Sequence, residues 1–163
     1  MTETQNIIEQ LRRALEADPW HGPSILQVLD GVTAEMAAAH PIPGVHSIWE
    51  LLFHVTAWTR AVRSRVMNIA TELEGETNFP PVNHTSEEAW KASIEDLIQA
   101  HAEMFATVNG FTDADLTAPV PNRPYDRAFI LHGLPQHHAY HGGQMALLKK
   151  ALQSQRRPGA AEA

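Results

Sequence analysis

Apolar residues recur along this chain at intervals of three and four, and no segment alternates in steps of two. Residues 4 to 17 place Ile7, Ile8, Leu11 and Leu15 at helical spacing. That predicts a short leading helix, stopped at Asp18-Pro19 because the residue before a proline is pushed out of the α region. A second helix is predicted after Gly22-Pro23, with proline at its first position and Ile25, Leu26, Leu29, Val32 and Met36 on one face. The run from His40 to Gly44 breaks it. The longest segment runs from His46 to about Glu74, where Leu51, Leu52, Val55, Trp58, Val62, Val66 and Ile69 trace one stripe. Ser47 and Glu50 form a capping box at its start.

Residues 75 to 84 make too long a loop for a tight turn and suit a crossover. Thr85 and Glu88 predict a second capping box, opening a helix that Asn109-Gly110 closes. Residues 111 to 126 contain Pro119, Pro121 and Pro124 and read as a loop. A last helix is predicted from about Arg127 to Gln153, with a kink or restart at Gly133-Leu134-Pro135. Residues 154 to 163 read as a frayed tail. The pattern is all-α: residues 1 to 163 as a single four-helix-bundle domain, with the 4–17 helix in front as a short extra.

Composition narrows the chemistry. The chain has 163 residues, no cysteine and a formal charge of −7, from 12 basic and 19 acidic residues. Disulfides, thiolate ligands and a cysteine nucleophile are excluded, so His, Asp and Glu are the strong ligands left. An acidic chain without a basic block is a poor partner for nucleic acid. No long apolar run and no basic-then-apolar leader is present, which predicts a cytoplasmic protein without membrane contact.

The ten histidines then stand out, three of them in the stretch QHHAYHGGQ from Gln136 to Gln144. His137 and His141 are four positions apart, one turn above the other on a helix. Both fall in the stripe of Ile130, Leu134, Leu148 and Leu152, which spans roughly 40° of the helix wheel. Bare imidazoles facing a core are costly unless something satisfies their nitrogens. Two so placed can bind one divalent ion, or can be satisfied core residues. His138 lies on the flank of the stripe, outside the pair. On the 46–74 segment His54 lies within about 40° of Trp58 and can reach the bundle interior.

Two histidine segments carry a family resemblance. HSIWELLFHVTAW (His46 to Trp58) resembles the second-helix signature of the DinB-like, or YfiT-like, superfamily of metal-dependent enzymes. GLPQHHAYHGGQMALLKK (Gly133 to Lys150) resembles its last-helix signature, and WHGPSILQVLDGV from Trp20 resembles its first bundle helix. The resemblance implies an up-down-down-up four-helix bundle, often a homodimer. It implies one divalent transition-metal ion, nickel or zinc, held by His54, His137 and His141. Some members of the family transfer low-molecular-weight thiols, which implies a small-molecule thiol partner.

Three imidazoles leave a coordination position open, as in catalytic rather than structural sites. A metal-dependent thiol S-transferase is the leading reading, with a metal-dependent hydrolase or a non-catalytic, metal-binding stress-response protein as alternatives. Around the ligands, Gln144 on the core stripe is a candidate to orient His141 or the substrate. Tyr140 could donate its hydroxyl to a ligand, although an interface or core role is the preferred reading. Glu50, one turn before His54, could orient that ring, although capping already explains it. His101 lies on the stripe of the 85–109 helix and is either a hydrogen-bonded core residue, the preferred reading, or a fourth ligand. The four tryptophans are too many for one small core, so some are expected at a dimer interface.

Overall fold

The computed structural model describes residues 1–155. Its helices are α1 (Glu3–Leu15), α2 (Ile25–Leu29), α3 (Ala34–Ala38), α4 (Ile48–Val66), α5 (Gly75–Asn78), α6 (Glu87–Asn109) and α7 (Arg127–Gln155), with a 3-10 turn at Asp113–Thr117. No helix among the described residues is long and apolar enough to cross a membrane. The all-helical bundle read from the sequence is the architecture found.

Cross-helix pairs fix the directions of the four long helices. Trp49 meets Ser93, Arg60 meets Asp96 and Arg63 meets Thr107, so α4 and α6 run parallel. His54 lies beside His141 while Thr59 reaches His138, so α4 and α7 are antiparallel. Glu3 pairs with His132, and Arg13 shares a cleft with Gln136 and Ala139, which makes α1 and α7 parallel. The order is up-down-down-up. The connection from Met67 to Ser86 is the crossover that returns the chain to the start of a parallel neighbour.

The first bundle helix is therefore α1, and not the segment beginning at Trp20. That segment is largely loop, and the helix expected from Gly22-Pro23 to Met36 is two short ones. Ser24, rather than proline, starts α2 by accepting from the Gln27 amide. Thr33 restarts the chain as the N-cap of α3, and the Glu87 carboxylate takes the Ala34 amide at 2.9 Å. Between them Gly31 sits at φ +69°, a left-handed conformation that costs glycine little and other residues more. The apolar spacing continued across this break because both short helices bury the same side.

Three other boundaries moved. The α4 helix stops at Val66, well before Glu74, because Asn68 adopts φ 64° and closes a Schellman motif. The Ile69 amide bonds the Ser64 carbonyl and the Asn68 amide bonds that of Arg65, which leaves Ile69 itself 54% exposed. Ser86, not Thr85, caps α6 by accepting from the Ala89 amide. The α7 helix runs through Pro135 without a break. Ser154 and Gln155 continue α7, and the rest of the expected frayed tail lies outside the described residues.

The core is two apolar clusters. One gathers Leu52, Val55, Trp90, Leu97, Met145 and Leu148. The other gathers Leu11, Val62, Met104, Val108, Leu131 and Leu134. Between them, at the level of residues 54–59, 101 and 137–141, lies a polar layer of five histidines and Thr59.

Candidate metal centre

The α4 helix brings His54 into this layer, and α7 brings His137 and His141. One ligand atom from each lies within 4.8 Å of the others, so the cluster can hold a metal ion. The ring centroids are 4.5 to 5.1 Å apart. His54 Nε2 and His137 Nε2 approach to 3.1 Å. Two nitrogens at ordinary bonding distance from one ion, about 90° to 110° apart, would be separated by about 2.9 to 3.4 Å. The residues present fit the group.

Hydrogen bonds decide which nitrogens face inward. His54 Nδ1 donates to the Asn78 carbonyl at 2.8 Å, and His141 Nδ1 donates to Gln144 Oε1 at 2.7 Å. Each bond places the proton on Nδ1 and leaves the Nε2 lone pair for a ligand. His137 differs: its Nδ1 is buried without a partner. Burial pulls all three imidazoles below their usual range, and with two neighbouring rings it takes His137 down to about 3. At neutral pH all three are uncharged, the state that coordination requires.

The crossover closes the site. Asn78 accepts from His54 through its backbone and from Trp58 Nε1 through its side chain at 2.9 Å. Phe79 stacks on His54 at 4.1 Å and on His46 at 3.9 Å, sandwiched between the two rings. Neither residue stood out in the sequence. An asparagine and a phenylalanine in a proline-rich loop carry no spacing signal, since their role depends on where the loop lands.

Of the other candidates, Gln144 accepts from His141 Nδ1 through its Oε1. Glu50 does not orient His54, because its carboxylate takes the Ser47 amide at 2.7 Å and pairs with His40 at 3.0 Å. Tyr140 is 66% exposed and meets His141 through its ring, 5.0 Å away, with no hydroxyl bond to a ligand. His101 is not a fourth member of the cluster. It is fully buried with His138, the two Nε2 atoms 2.9 Å apart.

His138 thus leaves its expected place on the flank. It meets His101 of α6, because α7 packs against α1, α2, α4 and the 3-10 turn and so buries a wider arc than one stripe. Each Nδ1 of this second pair sits on the carbonyl one turn back, Leu97 at 2.8 Å and Leu134 at 2.5 Å. Two neutral rings carry two protons for these three contacts, so one contact is not a hydrogen bond. Desolvation takes His101 to about 4 and His138 well below its usual value, so the pair is uncharged at neutral pH.

A cavity of about 370 Å³ adjoins the cluster, and His137 is part of its wall. Trp58, Val62, Tyr125, Phe129 and Ile130 supply apolar surface, and Arg65, Glu72 and Arg123 supply charge.

Compared with known proteins, residues 20–145 match the DinB superfamily. No curated protein and no solved structure matches the chain.

Proposed function

Because the chain belongs to the DinB superfamily over residues 20–145, we propose that it is a metal-dependent transferase acting with a low-molecular-weight thiol. The observation that carries this reading is the convergence of His54, His137 and His141 beside the cavity that His137 lines. These three side chains would hold one divalent ion, zinc or nickel, both suited to imidazole. Bound there, the ion would leave a position open and lower the pKa of a thiol or water that reached it.

The chain's own residues prepare that position. Asn78 and Gln144 hold two rings in the required tautomer. Phe79 covers one side of His54 and keeps water from it. Trp58, beside both His54 and His137, forms the apolar floor on which a substrate would rest. A sealed cluster would have favoured a binding protein; the adjoining cavity favours an enzyme.

A homodimer is part of the proposal. Phe129, Tyr140 and Leu147 are each more than 60% exposed and lie on one stripe of α7, within about 40° on the helix wheel. Of the tryptophans first considered for such a surface, Trp49 and Trp90 are buried in the core and Trp58 lies at the site.

The decisive experiment is metal analysis of protein purified without chelator, followed by a thiol-conjugation screen with and without that metal. Stoichiometric metal and metal-dependent conjugation are expected. Conjugation that persists after the metal is stripped would sink the transferase reading.

A further inference from the structure

Arg65 has no part in holding a metal. Its side chain is 5% exposed, and its guanidinium carbon lies over the Trp58 ring, 5.1 Å from the centroid. Nε donates to the Thr71 carbonyl at 2.9 Å. The terminal nitrogens make no hydrogen bond among the described residues; the nearest carboxylate oxygen, Glu72 Oε2, stands 3.8 Å from Nη2. A guanidinium keeps its charge, so a buried one with an unfilled fork is costly until an anion meets it. Glu72 is a loose partner, 62% exposed, and the same oxygen pairs with Arg123. All three line the cavity beside His137.

We infer that Arg65 and Arg123 form a subsite for the carboxylate of the ligand, held in the free protein by Glu72 as an internal stand-in that the ligand displaces. The inference deepens the transferase reading and rests on it, since the cavity is the one His137 lines. It narrows the substrate class to acids with an apolar or aromatic body. A carboxylate already reaches these two arginines, and planar guanidinium suits that group. The rest of the wall favours a ring, with Tyr125 and Phe129, stacked 5.0 Å apart, among its lining residues. The reach is small. Trp58 is 5.6 Å from His137 and 5.1 Å from Arg65, so one small molecule could touch both the guanidinium and the histidine cluster.

Calorimetric titration with benzoate, and with benzamide as its neutral counterpart, tests this on metal-loaded and on chelator-treated protein. Benzoate should bind at least about tenfold tighter than benzamide, a preference that Arg123→Gln removes. Glu72→Gln should tighten benzoate several-fold by removing the competitor. Arg65→Gln should act like Arg123→Gln, but it also loses the Thr71 bond, so the Arg123 and Glu72 variants decide the test. The arginine pair does not depend on a metal, so benzoate preference should survive chelation. Intact preference in a protein that takes up no metal even when zinc or nickel is supplied would overturn the transferase reading and leave the subsite standing. Equal binding of benzoate and benzamide, or no gain in Glu72→Gln, would overturn the subsite whatever the metal content. Inorganic phosphate competing as well as benzoate would overturn the carboxylate assignment.

Discussion

Each imidazole in the polar layer is set by what its second nitrogen meets. His54 and His141 have theirs tied back to Asn78 and Gln144, whereas His101 and His138 are tied to carbonyls of their own helices. Both sets turn Nε2 atoms toward one another, but only the first, with His137, brings three ligand atoms together. His137→Leu or His141→Leu should therefore abolish metal retention, while His101→Leu should leave it unchanged, as read by elemental analysis of the purified variants. The same residues set the response to acid. Their folded-state pKa values lie below the ordinary 6.5, so the unfolded chain binds more protons as pH drops. Their contribution to stability is present above about pH 6.5 and is lost as pH falls toward the folded values of about 4 for His101 and about 3 for His137. Melting of chelator-treated protein between pH 7 and 4.5 should show this loss, with a shallower slope in His101→Leu. A wild-type melting temperature that stays flat across the range would contradict the assignment of these rings as buried and neutral.

At the scale of elements, the connections decide more than the helices. The crossover after α4 supplies Asn78 and Phe79 to the histidines and Glu72 to the arginines. Asn78→Ala keeps the backbone carbonyl that His54 uses but strands Trp58 Nε1. It should cost about 1 kcal/mol of stability while changing metal affinity little. Chemical denaturation paired with a metal titration separates the two effects. The break between α2 and α3 is a second such device. A Cβ at Gly31 would meet nothing within 4 Å, so Gly31→Ala tests backbone conformation alone. It should destabilise by about 1 kcal/mol or slightly more, without touching the site. A neutral or stabilising result in the same denaturation experiment would mean that the left-handed turn is not required.

For the whole molecule, the histidine layer separates two apolar clusters that α4, α6 and α7 all cross. A metal ion at one side of that layer would link α4 to α7, so metal loading should raise the melting temperature of the entire bundle. The outer stripe of α7 gives the dimer its test. Leu147→Glu places a charge in the proposed interface and should shift light-scattering mass from dimer to monomer at tens of micromolar protein. A wild-type protein that already scatters as a monomer at that concentration would remove the dimer.

The sequence by itself determined the helical class, the long α4, α6 and α7, and the His137–His141 pair. These follow from periodicity, and a spacing of four on a helix has one geometric meaning whatever packs around it. Adding His54 needed the resemblance between HSIWELLFHVTAW and a known signature, because its place on the helix wheel only allowed an inward position. Tertiary structure alone decided the rest. Which helix served as the first of the bundle depended on partners across the fold, as did the pairing of His101 with His138. Glu50 lost its suggested role because the cap and His40 reached its carboxylate first. Asn78, Phe79 and the Arg65–Glu72–Arg123 group arise where a loop meets a helix far away in sequence, and no local pattern encodes that meeting.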